Sequence, residues 1–224
     1  MNNFEQFTIN DSKVLFRPAA DANECKGTLV LLHGYGADEY DLMGLAPYFD
    51  ANLQVFSIRG PGATMYGGAS WFDIDMFADG SLKFNTEQAL ESHQRVISIL
   101  QALQVDDRFQ IDKYILAGFS QGASISNMVT LAQPDLIKAL LIMSGRLTED
   151  VAKLLANKGD LKGLPVFAGH GTNDQVIPIE FGRKIVEFWS DLPVELDHHE
   201  YTMAHEICQD ELQDIQSWLK KYHL

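Results

Sequence analysis

Four apolar runs, each too short for a helix and each stopping at small residues, constrain this chain more than any other feature. They are residues 28–32 ending at His33-Gly34, 114–117 at Gly118, 139–143 at Ser144-Gly145, and 166–168 at Gly169. An unbroken apolar run suits a strand buried on both faces of a parallel sheet, whereas a strand with one wet face alternates. Further strands are expected at 54–58 and, alternating, at 194–201. Segments of helical spacing lie between them: Leu42, Leu45, Ala46 and Phe49; a long helix begun by Thr86 with Leu90, Val96, Ile97, Leu100 and Leu103 on its inner face; and 123–131. Thr148, with Glu149 and Asp150 behind it, suits the start of a short helix to Ala156. Pro178 opens a helix over 179–189, and Ile207, Leu212, Ile215, Trp218 and Leu219 mark a closing one. This order predicts one α/β domain over residues 1–224, a mostly parallel central sheet with helices on both faces. Phe7, Ile9, Val14 and Phe16 alternate around Asn10-Asp11-Ser12 and add an N-terminal antiparallel hairpin. Ligands of such sheets bind beyond the carboxyl ends of the strands.

At one of those ends stands Gly118-Phe119-Ser120-Gln121-Gly122, between a strand and a helix. A serine on so sharp a turn is held in a strained conformation with its hydroxyl projecting past the strand, and the flanking glycines leave the room a Cβ would fill. A serine hydroxyl is a weak nucleophile at neutral pH and needs an imidazole base oriented by a carboxylate. Asp174 follows the run at 166–168 in a Gly-rich stretch, and His205 follows the last strand by a similar interval. The order Ser120, Asp174, His205 is that of α/β hydrolases. Developing negative charge on an oxygen would be met by the backbone N–H of Gln121 and, from the Gly-rich end of the first parallel strand, that of Tyr35.

The remaining histidines read as structural. His198 and His199 alternate along a strand, so Asp197 beside them does not face either. His93 falls within a helix and His223 at the terminus, both as surface or boundary residues. His33 and His170 precede glycines at strand ends, where an imidazole hydrogen-bonds nearby backbone.

Residues 59–85 break all periodicity and mix glycines with Met65, Tyr66, Trp71, Phe72, Met76 and Phe77. Such an excursion either lines an apolar cavity, with Trp71, Phe72 and Met76 as substrate contacts, or staples itself to the core through its aromatics. Its apolar residues also offer a contact for a homodimer. The formal charge of −14 argues against nucleic acid and anionic lipid as partners. No stretch approaches the ~18 apolar residues of a membrane span, and the N-terminus lacks a signal-peptide pattern, so a cytoplasmic protein without stable membrane insertion is expected. Cys25 and Cys208 have no Cys-x-x-Cys partner and point to neither a metal nor a disulfide.

The chain resembles the phospholipase/carboxylesterase family of α/β hydrolases, which includes bacterial esterases and acyl-protein thioesterases. The matching blocks are Leu32-His33-Gly34-Tyr35-Gly36 with Asp41-Leu42, Trp71-Phe72-Asp73, Gly118-Phe119-Ser120-Gln121-Gly122, His170-Gly171-Thr172-Asn173-Asp174 with Val176 and Pro178, and His205-Glu206. The resemblance implies Ser120, Asp174 and His205 as a triad, Tyr35 and Gln121 as oxyanion donors, and hydrolysis of small carboxylic esters, thioesters or lysophospholipids without a cofactor. Acyl transfer or peptide cleavage by the same triad, or binding without turnover, are the alternatives. Two positions depart from the family. Thr202-Met203-Ala204-His205 replaces Gly-Met-Gly-His, adding a Cβ that bears on substrate size. Tyr35 stands where thioesterase-like members often carry Leu.

Overall fold

A computed structural model of the chain describes residues 4–65, 67–76, 82–148, 151–155 and 157–224, the side chains of Met76 and Leu82 excepted. The chain opens with the expected hairpin, β1 (Glu5–Ile9) and β2 (Ser12–Arg17). Asn10 and Asp11 both take positive φ, 47° and 58°, as a two-residue turn between right-twisted strands demands. Next come β3 (Gly27–Leu32) and β4 (Leu53–Ile58). The excursion is less irregular than its sequence suggests. It carries two small antiparallel ladders, β5 (Gly62–Ala63) with β6 (Ala69–Ser70), and β7 (Ile74–Met76) with β8 (Leu82–Phe84). Then follow α1 (Thr86–Gln104), β9 (Tyr114–Phe119), α2 (Gln121–Ala132), β10 (Ile137–Met143), β11 (Pro165–Gly171), α3 (Ile179–Ser190), β12 (Glu195–Tyr201) and α4 (Gln209–Lys221).

The main sheet has eight strands in the order β1-β2-β4-β3-β9-β10-β11-β12. From β4 onward the strands are parallel; β1 and β2 add an antiparallel edge. Because side chains alternate along a strand, each apolar run feeds two cores. Val30, Leu116, Leu140 and Val166 pack with residues of α1, α2 and α3. Leu29, Ile115, Leu141 and Phe167 pack with α4 and with Leu42 and Met43 on the opposite face. The predicted strand ends therefore lie on one edge of this double layer.

Some expectations need correction. The segment at 42–49 is a 3-10 helix, Leu42–Tyr48, with Pro47 inside it, whose missing N–H cannot supply an α-helical bond. α1 begins at Thr86 as expected, capped by Asn85, which accepts from the Gln88 N–H at 3.1 Å, but Leu90 faces solvent at 41% exposure. His93 is buried, not a surface residue, and burial lowers its pKa. The short helix from Thr148 reduces to one turn, Val151–Leu154, while Glu149, Asp150 and Ala156 lie outside the described residues. On α4, Glu211 is fully buried, and both its carboxylate oxygens lack a hydrogen-bond partner among the described residues. A Cβ on Gly169 would lie 2.1 Å from Glu211 Oε1. Burial, assisted by the charge of Asp214, pushes this carboxyl up to about 8.

Candidate active site

Strand β9 ends at Phe119 and α2 begins at Gln121, so the turn between them rests on Ser120, with φ 55° and ψ −115°. That backbone is unfavourable for a residue with a Cβ and persists because its surroundings hold it. The glycines do so by letting the chain close on itself. A Cβ on Gly118 would sit 2.4 Å from the Gly122 carbonyl oxygen, and one on Gly122 would sit 2.0 Å from the Leu32 oxygen. The Ser120 N–H is tied to the Met143 carbonyl at 2.9 Å.

Two loops bring the other polar groups to the serine. The His205 Nε2 lies 2.9 Å from Ser120 Oγ, and Nδ1 lies 2.7 Å from Asp174 Oδ2. Since a carboxylate can only accept, Nδ1 carries the proton and Nε2 is left to accept from the serine hydroxyl. The second oxygen of Asp174 accepts from the Val176 and Ile177 N–H groups at 2.9 and 2.8 Å. The Asp174 side chain is wholly buried, while that of His205 is 16% exposed. The Phe119 ring rests 4.9 Å from the imidazole. The two loops are stitched together by Thr172 N–H to Tyr201 O and Asn173 N–H to Met203 O, at 2.8 and 3.1 Å. A Cβ on Gly171 would meet the Ala204 carbonyl oxygen at 2.4 Å, so the two loops meet there backbone to backbone. His170 donates from Nε2 to the Ile177 carbonyl at 2.8 Å and clamps the turn that holds Asp174.

The oxyanion candidates come from two segments next to the serine. Gln121 opens α2, where the first amides have no partner within the helix. Gly34 lets the Tyr35 segment lie against the nucleophile turn: a Cβ there would be 3.1 Å from the Phe119 ring and 3.4 Å from Ser120 Cβ. His33 behaves as read, donating from Nδ1 to the Gly34 carbonyl at 2.7 Å and accepting the Gly60 N–H on Nε2 at 3.0 Å. Burial lowers its pKa, which keeps the ring neutral in this role.

Trp71 and Phe72 are both buried. The Trp71 indole N–H donates to the His33 carbonyl at 2.8 Å, and its ring lies 5.4 Å from that of His33. Gln121 grips both residues through its amide, accepting the Trp71 N–H at 2.7 Å and donating to the Phe72 carbonyl at 2.6 Å. The stapling of the excursion is thus observed for Trp71. Phe72 reaches a narrow crevice with Phe84 and Arg146, and the Met76 side chain lies outside the described residues. His198 and His199 stay in β12, away from the serine. Sequence reasoning passed over Arg146, two residues beyond Met143-Ser144, although a cation just past a parallel strand end was a signal in itself.

This sheet, with its nucleophile turn at the carboxyl end of β9, defines an α/β hydrolase. The profile of the phospholipase/carboxylesterase family matches residues 17–223. Acyl-protein thioesterase 1 of Kluyveromyces lactis is 31% identical over 222 residues, covering 92% of this chain and 96% of that protein. The protein of that name from Saccharomyces cerevisiae is 29% identical over the same shares. Among solved structures, the Bacillus cereus carboxylesterase superposes with a TM-score of 0.81 at 22% identity, covering 95% of both chains. The chain belongs to the phospholipase/carboxylesterase family and is an ester-cleaving enzyme of the carboxylesterase and thioesterase type. Among the described residues no helix is long and apolar enough to cross a membrane, and no cluster of side chains suits a metal ion.

Proposed function

We propose that the chain hydrolyses carboxylic esters or thioesters of small molecules through an acyl-enzyme on Ser120. The observation that carries this reading is the unbroken hydrogen-bonded series from Ser120 Oγ through His205 to Asp174, at 2.9 and 2.7 Å. Ser120 Oγ attacks the acyl carbon as His205 Nε2 takes its proton; the proton then passes to the departing alcohol or thiol. Water, deprotonated by the same nitrogen, releases the acid and restores the serine. Asp174 holds the imidazole in the tautomer this requires, and the Gln121 and Tyr35 N–H groups receive the oxyanion, each worth about a hundredfold to a thousandfold in rate. Of the three excursion residues read as substrate contacts, Trp71 and Phe72 line an open cavity of about 900 Å³, which supports that reading. A cytoplasmic setting and a homodimer through exposed Met65, 91% accessible, belong to the same reading; equilibrium sedimentation checks the dimer.

The test is hydrolysis of p-nitrophenyl esters from acetyl to palmitoyl, with Ser120→Ala beside the native protein. Loss of about 10⁴-fold or more in the variant is expected. Equal rates in both proteins would sink the triad reading, and equal inertness would favour binding without turnover. Product that appears only with an added alcohol or amine acceptor would mark an acyltransferase.

A further inference from the structure

The amino ends of the central strands form the edge of the sheet away from Ser120, and cations scattered in the sequence are gathered there. An open cavity of about 470 Å³ lies at this edge, with Thr28, Gln54, Lys113 and Lys138 in its lining. The strand register explains the grouping. Thr28 of β3 stands between Gln54 of β4 and Tyr114 of β9, and Ile137 of β10 is the partner of Tyr114 on its other side. Lys113 immediately precedes that row. Lys138 follows it, at a register shift between Ile137 and Ala139, and is the one exposed residue of β10. A shift of this kind re-aims a side chain that regular alternation would send elsewhere.

Charge at this edge runs against the rest of the protein. In a chain of net charge −14, the lining carries Lys26, Arg108, Lys113 and Lys138 against one carboxylate, Asp112. Two of these cations are engaged, Lys26 with Asp50 and Arg108 with Asp106. The ammonium groups of Lys113 and Lys138 have no carboxylate partner among the described residues. The buried part of the lining is polar: Thr28 and Gln54 are 2% and 7% exposed, and the Thr28 hydroxyl accepts from Gln54 Nε2 at 2.8 Å. That bond leaves the hydroxyl its own hydrogen to donate and the amide a second N–H. Donors beside two unpaired ammonium groups fit the oxygens of a phosphate, which accept several hydrogen bonds and draw point charges from more than one side. A polymer or a membrane would meet the negative remainder of the surface, whereas a small anion inside the cavity would not.

We propose that this cavity binds a small anion through a diphosphate group, held by Lys113, Lys138 and the Thr28 hydroxyl. It is a second site: the six residues of β9 separate Lys113 from Ser120, about 20 Å at the rise of a strand, so its ligand is not the ester cleaved at Ser120. The experiment is calorimetric titration of the full chain with inorganic pyrophosphate and with adenosine diphosphate, which share the diphosphate and differ in the organic group. The native protein is expected to bind one anion per chain, more weakly as salt is raised, and to unfold at a higher temperature in its presence. Tighter binding of adenosine diphosphate assigns the site to an organic diphosphate, and equal binding to the inorganic group. The double variant Lys113→Gln, Lys138→Gln is expected to bind about tenfold more weakly or worse, and Thr28→Val to bind more weakly than the native chain. Both lysines are exposed, so the double variant keeps its core, and its unfolding temperature without ligand and its ester hydrolysis are expected to match the native values. The proposal is overturned by a native protein that binds neither probe at about 10 mM, or by native affinity in the double variant. It is equally overturned if sodium chloride at matched ionic strength raises the unfolding temperature as much as pyrophosphate does.

Discussion

The nucleophile turn at 118–122 and the excursion at 59–85 meet at Gln121, yet they are held by different means. The turn is fixed by backbone against backbone: positions 118 and 122 are glycine because their Cβ atoms would strike carbonyl groups within 2.4 Å. The excursion is fixed by side chains reaching across the chain. Gln121 binds the backbone of Trp71 and Phe72, His33 binds Gly60, and Gln88 Oε1 accepts the Asp73 N–H at 2.6 Å. A geometry set by steric exclusion has few alternatives, whereas one set by single hydrogen bonds can be retuned a bond at a time. Ser120 sits on the first kind of structure, and Trp71 and Phe72 sit on the second.

Gly122→Ala attacks the first region directly. With a Cβ 2.0 Å from the Leu32 oxygen, the variant is expected to lose more than about 4 kcal/mol, the upper end of the range for single substitutions, along with reactivity of Ser120. Urea denaturation and fluorophosphonate labelling measure the two effects; a loss under about 1 kcal/mol would show that the turn has slack and the contrast is false. Gln121→Ala probes the second region. It leaves the Trp71 N–H and the Phe72 carbonyl unpaired in a buried place, at about 1–3 kcal/mol each, while the position 121 amide stays where it is. The expected result is a smaller loss of stability, with protease cleavage appearing first within the excursion. Cleavage spread evenly over the chain would mean that the excursion is not a separate unit.

The same contrast explains what was legible in the amino-acid sequence. Strand ends, the turn and the chain order of Ser120, Asp174 and His205 are written in local patterns, since glycine spacing and apolar runs act within a few residues. The role of Trp71 is not local: its partners are residues 33 and 121, and no pattern around position 71 distinguishes an indole stapled beneath a loop from one lining a cavity. His93 and Leu90 show the limit of helical spacing. Both lie on α1, three residues apart, yet the histidine is buried and the leucine stands in water. The 3-10 turns at 42–48 were hidden by apolar spacing that suits either helix, with Pro47 deciding between them.

The buried carboxyl of Glu211 makes the proton a ligand of this fold. The native chain keeps that proton up to about pH 8, while an unfolded chain releases it near the ordinary glutamate value of about 4.3. Between those limits folding takes up a proton, so stability is greatest at the acid end of the interval and declines as pH rises through it, by about 1.4 kcal/mol per unit at most. Glu211→Gln removes the ionisation, and its unfolding free energy is expected to change less between pH 5 and 8 than that of the native protein; parallel slopes would assign the dependence to other groups. A culture or a purification buffer that drifts alkaline would then act on this protein much as the withdrawal of a bound ligand acts on others.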